Sequence, residues 1–124
     1  MNKWICLVIG SIAGGVARYL VAGTLYAKLG TDFPYGTFVV NMTGCLLIGF
    51  LHNLSQGRLA LNVESRLLLM TGFCGAYTTF STLILETSSL TRNGQVGRGF
   101  LYLLLSIVVG LAIFRLGEWI GQLL

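Results

Sequence analysis

The sequence has 124 residues, of which 55% are hydrophobic and only 10% charged, with a formal net charge of +4. A soluble domain carries about a quarter charged residues, so this composition excludes an ordinary soluble domain. The length allows four membrane spans of about 20 residues each, and the few basic residues form no block that would bind nucleic acid. The three cysteines stand singly in apolar runs, which argues against a disulfide framework or a metal site.

The first apolar run predicts a membrane span over residues 4–26. It is longer than the apolar region of a signal peptide, and further spans follow it. Gly10 and Gly14 have the spacing that lets a second helix approach closely. Arg18 is costly at this depth, so it either serves a functional site or extends toward the nearer interface beside Lys28.

The second predicted span covers residues 35–54 and begins after Pro34. Asn41 is its only strongly polar side chain before His52. An asparagine in a membrane needs hydrogen-bond partners. Asn41 therefore either joins two helices or faces an aqueous path.

The third predicted span, residues 66–90, contains two glycines followed by hydroxyl residues around one phenylalanine: Gly72-Phe73-Cys74-Gly75-Ala76-Tyr77-Thr78-Thr79-Phe80-Ser81-Thr82. Glycine and clustered threonine both weaken a helix. A bilayer tolerates non-helical backbone only where protein or water satisfies its polar groups, so we expect a break that faces a polar site. Near the end of this span, Glu86 either pairs with Arg92 or Arg98 or contributes to an ion vestibule.

The fourth predicted span covers residues 99–123. Tyr102 and Ser106 are four residues apart and therefore share one face of the helix. Gly117 and Gly121 form a second pair suited to close packing. The sequence as a whole thus predicts an all-α membrane protein, with residues 1–124 forming a single four-helix domain.

The basic residues are divided equally between the two sides of the membrane. One side holds Lys3, Arg58, Arg66 and Arg115, and the other holds Arg18, Lys28, Arg92 and Arg98. Since the Lys and Arg bias sets orientation, this balance predicts insertion in both orientations. Two copies could then pair antiparallel about a two-fold axis in the membrane plane, with their broken third spans in contact.

The third-span motif closely resembles the hallmark of the Fluc (CrcB-like) fluoride channels. Gly36-Thr37…Val40-Asn41…Gly44 resembles the second motif of that family, and Gly14-Gly15…Arg18-Tyr19 resembles the first. The resemblance implies a passive fluoride channel in the inner membrane, an antiparallel homodimer or heterodimer of homologues, with two pores. It also implies a structural sodium ion on the two-fold axis, held by the backbone carbonyls of Gly75 and Thr78.

The same resemblance implies which side chains line the pores. They are Asn41, Phe80, Ser81, Thr82, Tyr102 and Ser106, while Arg18 matches the first-span arginine of the family. The family motif usually ends in Phe-Ser-Thr-Phe, and here Leu83 occupies the last, pore-lining position. Leucine keeps the bulk of the ring but lacks its electropositive edge.

Other functions remain open at this point. Leu83 leaves room for a subunit that does not conduct, or that conducts only with a different partner chain. A small multidrug-resistance exporter, coupled to protons, would carry a glutamate in the first span, and this span has no acidic residue. A proton-coupled fluoride antiporter would have a larger fold. An enzyme is disfavoured because no nucleophile–base pair or metal-ligand spacing is present.

Overall fold

The computed structural model describes residues 2–57 and 60–124, so Arg58, counted in the charge balance, lies outside the described residues. The structure is all-helical in this part of the chain. Helices α1, α2, α4 and α5 are Lys3–Leu29, Tyr35–Gln56, Phe80–Arg92 and Val96–Gln122. Helix α3, residues 63–77, comprises Val63–Arg66, the π-helical turns Leu67–Cys74, and Gly75–Tyr77.

Four helical segments are long and apolar enough to cross a membrane: Lys3–Leu29, Tyr35–Gln56, Val63–Arg92 and Val96–Gln122. This result confirms the predicted all-α membrane architecture. The helices extend by up to three residues beyond the predicted spans, except that α5 ends at Gln122, one residue before the predicted end. The Asn2 side chain accepts from the Trp4 amide before α1, and Gly30, with φ of 83°, ends that helix.

Glycine contacts hold α1 against α3. A Cβ atom at Gly10 would overlap the Leu68 carbonyl oxygen, and one at Gly14 would overlap that of Phe73. The predicted close-packing pair in the first span is therefore confirmed, and its partner is the third span.

A second glycine interface joins α2 to α5. Gly117 packs on the Leu46 carbonyl of α2, and Gly49 of α2 packs on the Phe114 carbonyl of α5. A Cβ at Gly121 would lie 2.9 Å from Asn53 Cβ. The second predicted glycine pair is therefore also at a helix interface, and α4 packs beside it on α5.

The third span is broken between α3 and α4, as the sequence predicts. Thr78 has φ −87° and ψ 160°, and Thr79 has φ −151° and ψ 116°, so two residues are extended before the helix resumes at Phe80. The preceding π-helical turns were not predicted. The break lies at the threonines, after both glycines of the motif.

Candidate functional site

Asn41 holds the extended backbone of the break. Its Nδ2 atom donates to the Thr79 carbonyl at 3.1 Å, and its Oδ1 atom accepts from the Thr79 amide at 2.8 Å. One side chain on α2 thus satisfies both polar groups of Thr79, as the helix-joining interpretation predicts. Nδ2 carries a second hydrogen, and Asn41 also lines a cavity beside the break.

The break leaves the carbonyl groups of residues 75–78 without their α-helical donors, among them those of Gly75 and Thr78. In an unbroken helix the Thr79 amide would donate to the Gly75 carbonyl, but here it donates to Asn41. The Thr82 amide would donate to the Thr78 carbonyl, but it donates to Thr79 Oγ1 at 3.2 Å. The predicted positions Gly75 and Thr78 are thus among those where the backbone can offer oxygen atoms to another partner.

Arg18 extends to the break rather than toward Lys28. Its Nη1 atom makes a long hydrogen bond of 3.4 Å to the Thr78 carbonyl oxygen. The guanidinium therefore places a positive charge beside the freed backbone of the third span. Of the two interpretations of Arg18, the geometry favours the one that gives it a place at the site.

A cavity of about 270 Å³, the break cavity, lies against the break among α2, α3, α4 and α5. Its walls include most of the predicted pore residues of α2, α4 and α5: Asn41, Phe80, Leu83 and Ser106. Thr78 and Thr79 complete this wall. Within the described residues, the buried Ser106 Oγ has no hydrogen-bond partner. A buried hydroxyl without a partner can serve a small polar guest.

A second cavity, of about 350 Å³, lies on the other side of the break and is called the arginine cavity because Arg18 lines it. Thr79, Thr82 and Glu86 share its wall. Thr79 Oγ1 donates to Thr82 Oγ1 at 3.0 Å and lies 3.3 Å from Ser81 Oγ. Because Thr79 lines both cavities, the break separates two spaces that hydroxyl groups border.

Glu86 is the centre of a cluster of hydroxyl donors. Thr37 Oγ1 and the Tyr26 hydroxyl donate to Oε1 at 2.7 and 3.0 Å. The hydroxyl of the fully buried Tyr102 donates to Oε2 at 2.8 Å. The carboxylate is therefore stabilised by neutral donors from α1, α2 and α5.

Of the two interpretations of Glu86, the one that pairs it with Arg92 or Arg98 is wrong. Over residues 2–57 and 60–124, the ion pair that the structure contains joins Arg115 to Glu118 at 3.0 Å. Arg92 and Arg98 are exposed near the turn, whereas Glu86 faces the bundle interior. Tyr26 and Thr37 were not predicted as site residues, because they come from spans 60 and 49 positions away along the chain.

A third cavity, of about 450 Å³, adjoins the cluster and is called the loop-end cavity. Tyr26 and Glu86 form its inner wall, and Asp32, Asn93 and Gln95 line it at the loops. Since Glu86 lines both this cavity and the arginine cavity, its carboxylate stands between the loop end and the break.

Phe80 and Leu83 have opposite environments. The Phe80 side chain is 71% exposed in the single chain, whereas Leu83 is 5% exposed and packs in a cluster with Leu90 and Tyr102. Leucine at this position therefore contributes to the apolar core while one side of it lines the break cavity.

The CrcB-like family model, described as camphor resistance (CrcB), matches residues 5–118. The chain belongs to the CrcB-like family. A protein of Chlorobaculum tepidum named fluoride-specific ion channel FluC is 46% identical over 123 residues, which cover 99% of this chain and 97% of the relative. A protein of the same name from Acidobacterium capsulatum is 42% identical over 120 residues, covering 97% and 96%.

The family assignment confirms the resemblance drawn from the three motifs. With four spanning helices, this CrcB-like chain is a multi-pass protein of the inner membrane. It belongs to a family of transport proteins and is not an enzyme.

Proposed function

We propose that this CrcB-like chain is a passive, fluoride-selective channel. The observation that carries the proposal is the break at Thr78 and Thr79, which Asn41 holds open at both backbone groups. Cavities with hydroxyl-bearing walls lie on both sides of it. Relatives covering nearly the whole chain are named fluoride-specific ion channels.

The pore chemistry follows from the hydration of fluoride. This anion is small and strongly hydrated, so a pore must replace its water with hydrogen-bond donors and with the positive edges of aromatic rings. The donors proposed are the buried Ser106 hydroxyl, the second N–H of Asn41 and the hydroxyls of Ser81 and Thr82. The one hydrogen of the Tyr102 hydroxyl is donated to Glu86, so Tyr102 is proposed to act by holding that carboxylate. The exposed Phe80 ring supplies an aromatic edge. Several weak sites in series let the ion leave each of them.

Passive export is favourable for an anion in a cell that is negative inside. Fluoride enters as its neutral acid and is trapped as the anion at neutral pH. The membrane potential is worth about 2.3 kcal/mol per elementary charge for each 100 mV, and it drives an anion outward. A channel therefore lowers cytoplasmic fluoride without coupling to protons.

The functional unit is proposed to be an antiparallel homodimer with two pores. Gly75 and Phe80 are exposed in the single chain although they flank the break in the middle of a spanning segment. The Thr78 carbonyl has only the long hydrogen bond from Arg18, and lipid offers none to the Gly75 carbonyl, so another protein surface has to cover the break. A second copy in the opposite orientation would bring its own break to the same place.

A sodium ion on the two-fold axis fits the groups that the break exposes. The Gly75 and Thr78 carbonyls have lost their α-helical donors, and carbonyl oxygens are ligands suited to hard cations. Two copies of each carbonyl would meet there. The bound ion would neutralise the partial negative charges of these carbonyl oxygens and join the two chains.

Fluoride efflux from liposomes containing this protein alone tests the proposal. We expect rapid fluoride loss without a proton gradient, measured with a fluoride electrode, and no loss of chloride from matched liposomes. A Leu83→Phe variant serves as the matched comparison for the aromatic position.

Absence of efflux from folded wild-type protein would refute the homomeric channel. If Leu83→Phe then conducts, the natural chain is a subunit that needs a partner with an aromatic ring at this position. Efflux that requires a proton gradient would instead indicate an exporter coupled to protons.

A further inference from the structure

Three sulfur-containing side chains border the break cavity. Met42 and Cys45 of α2 line it, and Cys74 lines it from the last π-helical turn of α3. All three cysteines of the protein have free thiols. The third, Cys6, is buried elsewhere on α1 and does not border this cavity.

The position of Gly110 on α5 shows that two of these groups converge. A Cβ atom built there would lie 3.5 Å from Met42 Cε and 3.6 Å from Cys45 Sγ. The Met42 methyl end and the Cys45 thiol therefore approach each other beneath Gly110 of α5, and both residues line the break cavity. Cys74, 1% exposed, faces the same space from α3.

Thiolate and thioether sulfur are soft ligands that select soft cations such as Cu⁺ over hard ones. The other walls near these groups are largely aliphatic, including Ile48 and Leu83, and offer no carboxylate that would favour a hard divalent ion. The cavity thus combines soft donors with a volume of about 270 Å³, which is ample for one metal ion.

We propose that the break cavity is a binding site for a soft monovalent cation, silver or cuprous ion, held by Cys45 and Cys74 with the Met42 thioether. Binding breaks the S–H bond of a cysteine, forms an S–metal bond and releases the proton to water, with no change in oxidation state. Because Asn41 and Ser106 line the same cavity, an occupied site blocks the proposed fluoride path. The blocking step rests on the proposed function, whereas the binding step does not.

Silver binding is measured first, independently of transport. Purified protein is incubated with silver nitrate in chloride-free buffer, washed with excess free methionine, and analysed for metal by mass spectrometry. We expect about one retained silver ion per chain for the wild type and for Cys6→Ala, and loss of most of it in Cys45→Ala and in Cys74→Ala. Met42→Leu, which keeps the bulk but removes the thioether, should retain an intermediate amount.

Thiol mapping keeps the test valid if a variant misfolds. In wild-type protein, bound silver should protect Cys45 from a maleimide, and removal of silver with excess thiol should restore labelling. Equal silver retention in the Cys45→Ala/Cys74→Ala double variant and the wild type would overturn the site. Unprotected Cys45 in the silver-loaded wild type would overturn it as well.

Fluoride efflux then tests the block. Silver should stop efflux through the wild type and Cys6→Ala, each compared with its own silver-free rate, and should leave the double variant uninhibited. Inhibition of the double variant would overturn the block. If the wild type shows no efflux at all, the channel proposal fails while the silver retention still decides the binding site.

Discussion

Asn41 replaces, with one side chain, the hydrogen-bond partners that the Thr79 backbone loses at the break. Its amide is bonded at both ends, at 3.1 and 2.8 Å, across an interface between two spans. The two interpretations of this asparagine, as a helix-joining group and as a pore donor, are therefore compatible. The first uses one N–H and the carbonyl, and the second requires only the remaining N–H.

Asn41→Ala should both destabilise the protein and reduce fluoride efflux. It leaves the Thr79 amide and carbonyl unpaired, and each unsatisfied buried group costs about 1–3 kcal/mol. Thermal unfolding in detergent and liposome efflux measure the two effects. Asn93→Ala, in the exposed turn after α4, is the control for stability and should unfold near the wild-type temperature. Wild-type efflux through Asn41→Ala would remove this residue from the site.

Tyr102→Phe separates the hydroxyl from the ring at the Glu86 cluster. The Tyr102 ring is fully buried and packs edge-on against Phe33, with the ring centroids 5.3 Å apart. The substituted phenylalanine preserves this contact. The lost hydrogen bond to the carboxylate should cost about 1.5–3 kcal/mol. Efflux should fall because Glu86, which lines the arginine cavity, is no longer held in place from α5. Tyr35→Phe, at an exposed ring, is the matched control. If both variants conduct equally, the Tyr102 hydroxyl has no part in conduction.

Residue-level prediction from the sequence was limited by long-range contacts. Polarity at membrane depth singled out Arg18, Asn41 and Glu86, and the structure places all three at or near the break. Their partners could not be predicted, because nothing in the spacing relates Glu86 to Tyr26 or Thr37. The sequence offers the nearby arginines as partners, one of the two alternatives for Glu86, since proximity along the chain is the only distance that it provides.

At the scale of helices, the composition of the third span predicted its break but not the position or the cause. The sequence predicts that the glycines weaken the helix. Gly72 instead allows close packing on α1, because a Cβ atom built at Gly72 would lie 3.0 Å from the Gly10 Cα atom. The extended residues are Thr78 and Thr79, whose hydroxyls satisfy local backbone groups. The π-helical turns before them leave no signature in hydropathy, since they alter hydrogen bonding rather than polarity.

Gly117→Ala should weaken the α2–α5 interface. The added methyl group would overlap the Leu46 carbonyl, and backbone cannot move aside as a flexible side chain can. Overpacking of this kind costs about 1–3 kcal/mol, so the unfolding temperature in detergent should fall. Gly97→Ala on the same helix meets nothing within 4 Å and should not lower it. Equal unfolding temperatures for the two variants would show that the α2–α5 interface accommodates the methyl group and does not depend on Gly117.

At the scale of the whole molecule, a single chain leaves the break incompletely covered, and this is the physical reason to expect a dimer and a cation. Sodium that binds only the folded dimer stabilises it by about 2.7 kcal/mol at a concentration 100 times its Kd. Replacing sodium with N-methylglucamine should therefore lower the unfolding temperature and favour dissociation. Potassium at equal ionic strength is the control for salt effects. Identical stability in all three salts would contradict the axial sodium site.

The balanced distribution of basic residues predicts two orientations in the membrane, and labelling of intact cells tests this prediction. Gln95 is exposed between α4 and α5, so the thiol of a Gln95→Cys variant can be labelled by a membrane-impermeant maleimide. About half of the copies should be labelled in intact cells, and all copies after permeabilisation. The wild type, with buried or half-buried cysteines, gives the background. Labelling of all copies or of none in intact cells would mean a single orientation.

Changing the charge balance links orientation to transport. The double variant Asn93→Lys/Gln95→Lys should keep the loop between α4 and α5 in the cytoplasm and so orient every chain one way. Such a variant cannot form antiparallel pairs, so fluoride export by the cells should be lost. The Gln56→Lys variant adds a positive charge at the C-terminal end of α2, on the other side of the membrane from Asn93 and Gln95. Its co-expression should supply inverted partners and restore export. Full export by the first variant alone would mean that chains in one orientation suffice, and the antiparallel dimer would then be wrong.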